Sequence, residues 1–290
     1  MKKKIYPFYF ILGALVLYLV FIVIPGIVGI VYSFTDWSSY SKEVHFVGLD
    51  NFKIIFSKDE NYFKYIFNSI EFTFITTIAK LVIATVLALI LNENIKARNM
   101  HRALIFMPAI LSMIITGLVF KSILNPESGL LNQILRSIGL GSLAQQWLVD
   151  LKFAFNSVMA VDTWKGIGYT MTIILAGLQS ISPSYYEAAD IDGAHYFSKL
   201  KYITLPLLRP AINVTIVLGV LYGLKVFDII YALTNGGPGY ATEVVSTSIF
   251  KDFGLGRYAV ASTMNTVMIV FMVIVGMLTV KMLTKEEVNM

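Results

Sequence analysis

Long apolar stretches dominate the hydrophobic pattern of this chain. Four of them, at 5–35, 103–120, 166–186 and 258–280, contain no Asp, Glu, Lys or Arg. Two more, at 69–91 and 211–231, contain isolated charges. A helix needs roughly 20 apolar residues to cross the hydrocarbon core of a bilayer. The pattern therefore predicts helices that span a membrane, because each stretch is close to that length or longer.

Composition leads to the same fold class. The residues are 57% hydrophobic and 14% charged, and the mean hydropathy is +0.72, which is more apolar than a soluble protein. We predict an all-α membrane protein of six transmembrane helices in a single domain over residues 1–290. The helices are placed at about 8–32, 69–91, 103–123, 154–180, 211–232 and 258–281.

The distribution of Lys and Arg predicts the orientation. The segments 1–7, 92–102, 181–210 and 281–290 hold 11 Lys and Arg residues, whereas the longer segments on the other side, 33–68, 124–153 and 233–257, hold 8. Positive charge is enriched on the cytoplasmic side of membrane proteins. Both termini are therefore predicted to be cytoplasmic. This asymmetry also explains most of the net charge of +5, so no nucleic-acid partner is expected.

Several chemistries lack the residues they need. The chain has no cysteine, which excludes disulfides and thiolate metal sites, and it has no HExxH pattern, so no metal site or cofactor is expected. It also lacks the Gly-rich phosphate loop that ends in Lys-Ser or Lys-Thr. The chain is therefore expected to be non-catalytic and unable to hydrolyse ATP by itself.

The segment 182–206 is predicted to form a bent helical pair on the cytoplasmic side. Ser184 and Glu187 have the spacing of a capping box, which predicts that a helix starts there. Gly193 permits the positive φ of a turn before a second helix from Ala194. Pro206 and Pro210 should stop that second helix from running unbroken into the membrane. The residue spacing is equally compatible with an ordinary amphipathic connector.

Three further local signals predict features outside that loop. Leu130, Leu131, Ile134, Leu135 and Ile138 have helical spacing and predict an amphipathic helix. The turn cluster at 235–239 should end the fifth helix, and Pro108 should kink the third.

Charged side chains inside the apolar stretches are candidates for function, because an intramembrane charge is costly and usually faces a cavity or a partner. Asp162 and Lys165 lie three residues apart on one helix face, and Lys225 and Asp228 have the same spacing. Each pair either faces a substrate or neutralises itself within its helix. Lys80 is expected to bridge to a neighbouring helix.

The motif Glu187-Ala-Ala-x-x-Asp-Gly-Ala194, followed by Phe197 and by Leu205-Pro206, resembles the EAA loop of permease subunits in binding-protein-dependent ABC importers. Further segments resemble the carbohydrate branch of that family and, within it, the larger maltose permease subunit. These are Phe46-Val-Gly-Leu-x-Asn-Phe52, Trp164, Gly168-Tyr169, Leu175-Ala-Gly-Leu178 and Thr234-x-Gly-Gly-Pro238. The chain is shorter than the maltose subunit, because it lacks the extra helices and the large periplasmic insertion.

The resemblance implies a type I importer fold in the bacterial cytoplasmic membrane. It also implies a second, homologous permease, two ATP-binding cassette subunits and an extracytoplasmic solute-binding protein as partners. The loop would dock in a cleft of the ATPase and transmit its rotation to the membrane helices. The implied coupling residues are Glu187, Ala188, Ala189, Asp192, Gly193, Ala194, Phe197, Leu205 and Pro206.

The resemblance also implies a sugar or oligosaccharide substrate, with contacts in the fourth and fifth helices. The matching positions are Asp162, Gly166, Tyr169, Tyr222, Gly223 and Val226, and Lys165 joins them because it shares a face with Asp162. A carboxylate and aromatic rings suit sugar hydroxyls and C–H faces. A polyol or a glycerol phosphate is the alternative substrate, and a secondary transporter is the alternative machinery.

Overall fold

Helices make up most of the computed structural model, which describes residues 9–57 and 61–287. A 3₁₀ turn covers Gly141–Leu143, and an isolated β-bridge pairs Thr35 with Phe46. The helices are α1 (Tyr9–Tyr18, Leu19–Val23 and Ile24–Tyr32), α2 (Asp50–Phe56), α3 (Tyr62–Asn92), α4 (Arg98–Ile110), α5 (Met113–Ile123), α6 (Leu130–Ser137), α7 (Ala154–Gln179), α8 (Pro183–Ile191), α9 (Tyr196–Lys199, Leu200–Thr204 and Leu205–Leu224), α10 (Asp228–Leu233), α11 (Val245–Gly254) and α12 (Tyr258–Glu287). The second of the three sections given for α1 and for α9 is π-helical.

Four of these helices, α1, α3, α9 and α12, are long and apolar enough to cross a membrane. Helices α4 and α5 pass the same test together, but a bend of 96° separates them, which is the geometry of a broken span or of a re-entrant loop. Helix α7 has 26 residues, but Asp162 and Lys165 make it less apolar. The predicted six spans and cytoplasmic termini therefore remain predictions.

The described residues fall into two compact units. The first comprises residues up to 63 together with 248–271. In it, the Asn51 amide donates to the carbonyls of Ser33 and Thr35 at 3.0 and 2.7 Å. The Trp37 ring stacks on Tyr32 and packs against Tyr258. These contacts hold the segment after α1 against α2 and the start of α12.

The second unit comprises residues 64–247 and the end of the chain from 272, and α7 lies at its centre, against α4, α9 and α10. Two apolar clusters form along α3 and α7. One includes Phe72 and Val161, and the other includes Ala84 and Met171. Two charged residues, Lys80 on α3 and Asp162 on α7, lie between the two clusters.

Small residues allow these helices to approach closely, as is common in membrane proteins. A Cβ built on Gly168 of α7 would collide with the α4 backbone, at 2.7 Å from Phe106 Cα, and one on Gly223 of α9 would lie 2.7 Å from Thr73 Cα of α3. Any larger side chain at these two positions would separate the helices.

Three expectations about helix ends are corrected. The third predicted helix continues through Pro108 and breaks at Leu111 and Ser112, whose backbones are extended. The fifth helix ends at Leu224, and the turn cluster at 235–239 instead follows the short helix α10. Residues 225–227 separate α9 from α10, so Lys225 and Asp228 do not share a helix face.

Prolines do not stop α9, contrary to expectation. It is continuous from Tyr196 to Leu224, with a π-helical section at Leu200–Thr204 and Pro206 in the first turn of the following α-helical section. Pro206 has no N–H to donate, and its ring crowds the preceding turn of a regular helix. The π-helical section occupies that preceding turn.

Candidate functional site

A cavity of about 620 Å³ lies in the second unit, among α3, α4, α7, α9 and the first residue of α5. Its wall is mostly apolar, with a few polar groups, which is the usual make-up of a small-molecule site. It lies between the two apolar clusters. The lining residues are Thr77, Lys80, Leu81, Phe106, Ala109, Ile110, Met113, Asp162, Lys165, Gly166, Tyr169, Thr170, Ile173, Thr215, Leu218, Gly219, Leu221, Tyr222 and Lys225.

A buried ion pair crosses one side of the cavity. The Lys80 ammonium of α3 lies 2.5 Å from Asp162 Oδ2 of α7, and Asp162 is fully buried. The Tyr222 hydroxyl of α9 donates to Asp162 Oδ1 at 2.6 Å. The Lys80 ammonium also lies 4.6 Å from the centre of the Tyr222 ring. The three side chains therefore connect three helices, and they satisfy the Asp162 carboxylate with two charge-assisted contacts.

A second lysine is held by the bend between α4 and α5. The Lys165 ammonium donates to the Ala109 carbonyl at 3.2 Å. The last carbonyls of a helix have no partner within that helix, and the negative end of the helix dipole favours a cation there. The bend thus provides an acceptor for Lys165 in the cavity wall.

Gly166 provides the space for the ion pair. A Cβ at this position would lie 2.6 Å from Lys80 Cε and 3.1 Å from its ammonium nitrogen. Any side chain at 166 would therefore displace Lys80 from its path to Asp162.

The structure brings together five of the seven predicted substrate residues, because Asp162, Lys165, Gly166, Tyr169 and Tyr222 all line the cavity. It does not bring the other two to the cavity wall. Gly223 is buried against Thr73, and Val226 belongs to an apolar cluster. The prediction placed both residues by counting back from the motif at 234–238 in the family resemblance. In the structure Gly223 lies within α9 with its open side toward α3, and Val226 lies in the break between α9 and α10.

The sequence interpretation did not place Lys80 or Thr77 among the substrate contacts, although both line the cavity. Lys225, for which it left substrate contact open, lines the cavity as well. A charge in an apolar stretch is a signal for such a role, and it identified Lys80 only as a bridge to a neighbouring helix. The structure confirms that bridge. Of the two alternatives left open for Asp162 and Lys165, the structure does not show the ion pair within the helix, because Asp162 pairs with Lys80.

The loop at 182–206 contains a short helix, α8, with a well-defined end. Gly193 has a φ of +72°. The Ala194 N–H donates to the Ala189 carbonyl at 2.9 Å, and the Gly193 N–H donates to the Asp190 carbonyl at 3.1 Å. These two bonds form a Schellman motif, which requires the left-handed residue that glycine supplies.

The start of α8 differs from the predicted capping box. The N-cap is Ser182, no side chain caps the helix, and Pro183 occupies its first position. Ser184 lies inside the helix, and its hydroxyl lies 2.9 Å from that of Ser182. Pro at the first position after a Ser is itself a start signal, and it would have placed the N-cap correctly.

One side of this loop is exposed and the other is attached to the helices. Ile191 and Phe197 are 88% and 79% exposed, and Glu187 is exposed as well. On the attached side, Ala189 is buried and the Tyr186 hydroxyl lies 3.0 Å from Thr204 Oγ1. Lys199 of α9 forms an ion pair with Asp190 of α8. The exposed side presents apolar and acidic groups together.

The remaining predicted coupling residues lie around α8 and in α9. Ala188, Asp192 and Leu205 are exposed, whereas Ala194 and Pro206 are partly buried. Among residues 9–57 and 61–287, no group of three or more His, Asp or Glu side chains has a geometry suitable for a metal ion.

These features define a multi-helix membrane protein with an exposed helical loop and an internal cavity whose mostly apolar wall carries a few polar groups. Residues 80–286 match the family of inner membrane components of binding-protein-dependent transport systems, and the chain belongs to that family. This membership confirms the resemblance found in the motif at 187–194. The chain is accordingly a multi-pass membrane component and not the ATPase of such a system.

Relatives and a solved structure agree with the family. The trehalose/maltose transport system permease protein MalF of Thermococcus litoralis is 37% identical, over 88% of this chain and 85% of its own. The probable ABC transporter permease protein YurN of Bacillus subtilis is 34% identical over 99% of both chains. A crystal structure of a bacterial ABC transporter involved in import of the acidic polysaccharide alginate has a chain with a TM-score of 0.85 and 25% identity, matched over 96% of this chain and 94% of that one.

Proposed function

We propose that this chain is the permease subunit of an ATP-driven importer that carries a sugar or short oligosaccharide across the bacterial cytoplasmic membrane. The observation that carries the proposal is the cavity between the two apolar clusters of α3 and α7. Three different helices carry its polar groups, with Lys80 on α3, Asp162 on α7 and Tyr222 on α9. Relative movement of these helices would expose the cavity to one side of the membrane and then to the other, as alternating access requires.

The cavity wall suits a saccharide. Tyr169 is 54% exposed and Tyr222 faces the same space. Aromatic rings pack against the C–H faces of sugars, and the Thr170 hydroxyl and the lysine ammonium groups provide hydrogen bonds for hydroxyls. The relatives named for trehalose, maltose and alginate transport favour a carbohydrate over other solutes.

We assign coupling to the exposed side of α8 and the residues that follow it. Ile191 and Phe197 supply apolar area, and Glu187 supplies a charge for a partner surface. The Schellman motif fixes the end of α8, and the Lys199–Asp190 ion pair links α8 to α9, so a displacement of α8 would be passed to the cavity wall. The partners would be two ATPase subunits, a second permease and an extracytoplasmic binding protein, with the termini in the cytoplasm.

Reconstitution tests this function. The chain would be placed in lipid nanodiscs with its candidate permease partner, ATPase and binding protein, and ATP hydrolysis would be recorded across a panel of saccharides, polyols and glycerol phosphate. Stimulation by a saccharide, abolished by Glu187→Lys, supports the proposal. Stimulation by no member of the panel contradicts the carbohydrate assignment, and failure of the chain to associate with any ATPase contradicts the coupling role.

A further inference from the structure

The charges in the cavity wall are unbalanced. Lys80, Lys165 and Lys225 line the cavity, and Asp162 is the only acidic residue among the lining residues. Asp228, the acidic residue nearest to Lys225 in sequence, lies beyond the helix break and is not part of the wall. The described wall therefore holds two more positive than negative charges.

Both oxygen atoms of the Asp162 carboxylate already have partners. Its Oδ2 atom contacts the Lys80 ammonium and its Oδ1 atom accepts from the Tyr222 hydroxyl. The ammonium of Lys80 is in turn placed over the Tyr222 ring. Lys80 and Asp162 thus neutralise each other, and the excess charge belongs to Lys165 and Lys225.

These two lysines have capacity left for a ligand. An ammonium group has three donors, and the Ala109 carbonyl takes one donor of Lys165. No ion pair joins Lys165 or Lys225 to a carboxylate within the described part of the chain. Lys225, at the end of α9, is exposed, whereas Lys165 is buried. A carbonyl and a helix end offset only part of the buried charge of Lys165. An anion in the cavity would offset the rest.

We propose that the cavity takes a saccharide that carries a negative charge, a carboxylate or a phosphate ester, and that Lys165 and Lys225 bind the anionic group. This inference rests on the proposed function and specifies its substrate class. Tyr169, Thr170 and Tyr222 contact the uncharged part of the same ligand. The Lys80–Asp162 pair stays intact and orients the Tyr222 hydroxyl.

Uptake into proteoliposomes that contain the whole complex tests the inference. The probes are glucose and maltotriose, each as the neutral sugar, as the terminal uronate and as the terminal phosphate ester. We expect uptake of a uronate or a phosphate ester, and about tenfold or greater loss of it in Lys165→Met and Lys225→Met, since charged hydrogen bonds are strong. The binding protein is the same in all arms, so its selectivity cancels when each variant is compared with the wild type.

Two controls separate charge from folding. Lys165→Arg keeps the positive charge and should retain more anion uptake than Lys165→Met. Lys121→Met removes an exposed lysine outside the cavity, and its anion uptake should match that of the wild type. Uptake of neutral sugars alone overturns the inference and leaves the proposed function standing. Equal loss in Lys165→Arg and Lys165→Met also overturns it. If no saccharide is taken up, the proposed function fails as well.

Discussion

At the scale of single residues, the carboxylate of Asp162 holds two other helices. We predict that Asp162→Asn lowers the stability of the permease by about 3–5 kcal/mol, because the change leaves the Lys80 ammonium buried without a counter-charge. The asparagine oxygen still accepts from Tyr222, so the loss reports the ion pair. Thermal unfolding of the complex in nanodiscs measures it.

The double variant Lys80→Met with Asp162→Asn is the matched control for that prediction. Removing both charges removes the unpaired ammonium, so the double variant should recover most of the stability that Asp162→Asn loses. A double variant as unstable as the single one would show that the charges do not interact.

Gly166 is the second residue whose role follows from geometry. We predict that Gly166→Ala costs about 1–3 kcal/mol, the usual range for overpacking, because the new Cβ would lie 2.6 Å from Lys80 Cε. Gly26→Ala, on α1, is the control, since no atom lies within 4 Å of a Cβ there. Unfolding midpoints of both variants decide the matter, and equal midpoints would exclude a steric role for residue 166.

At the scale of secondary-structure elements, the end of α8 depends on the left-handed backbone conformation of one residue, Gly193. We predict that Gly193→Val destabilises the Schellman motif, since a left-handed conformation costs a residue with a Cβ about 1–2 kcal/mol and a β-branched one is a worse fit. Amide exchange at positions 193 and 194 should accelerate, and saccharide-stimulated ATP hydrolysis should fall.

Gly193→Asn is the matched control, because asparagine adopts the left-handed conformation more easily than other residues. It should preserve the slow amide exchange and most of the stimulation. If Gly193→Asn and Gly193→Val behave alike, the φ of +72° is not what the loop requires.

The segment between α1 and α2 depends on pH. A hydrogen bond from the His45 backbone N–H, at 2.7 Å, is the main cause that lowers the pKa of the Asp36 carboxyl, and the His45 side chain adds to it. A lowered pKa in the folded state stabilises the segment above the ordinary value near 3.9, and this contribution is lost as the pH falls through the lowered pKa. The protection factors for amide exchange at residues 36–47, which are corrected for the intrinsic pH dependence of exchange, should therefore fall in acid. In Asp36→Asn, which does not titrate, this fall should be absent.

The elements also show how far the sequence predicts the fold. Apolar length placed the helices that became α1, α3 and α12, because a helix that crosses a bilayer must be long and apolar whatever its neighbours are. The end of α9 at Leu224 was missed, since residues 225–227 contain no Gly or Pro and the break depends on packing. The continuity of α9 through Pro206 was missed because a π turn has no simple sequence signal.

The same contrast holds for the site. Asp162 and Lys165 were identified from their cost in a membrane, but their partners were not. Lys80 lies 82 positions before Asp162, and the Ala109 carbonyl is available only because α4 bends away from α5. Such pairings are decided by tertiary packing, which spacing along one helix does not encode.

At the scale of the whole molecule, the proposed coupling role requires one direction of insertion, because it places α8 on the cytoplasmic side. The chain contains no cysteine, so single cysteines can report accessibility without background. We predict that Ser184→Cys in α8 reacts with a membrane-impermeant maleimide in inverted vesicles but not in intact cells, and that Ser41→Cys, also exposed, shows the opposite pattern. Labelling after detergent solubilisation is the control for reactivity.

Reaction of both positions from the same side would contradict the prediction. In that case α8 and the segment before α2 lie in the same compartment, and the number of spans between them is even rather than odd. The orientation drawn from the Lys and Arg distribution would then be wrong.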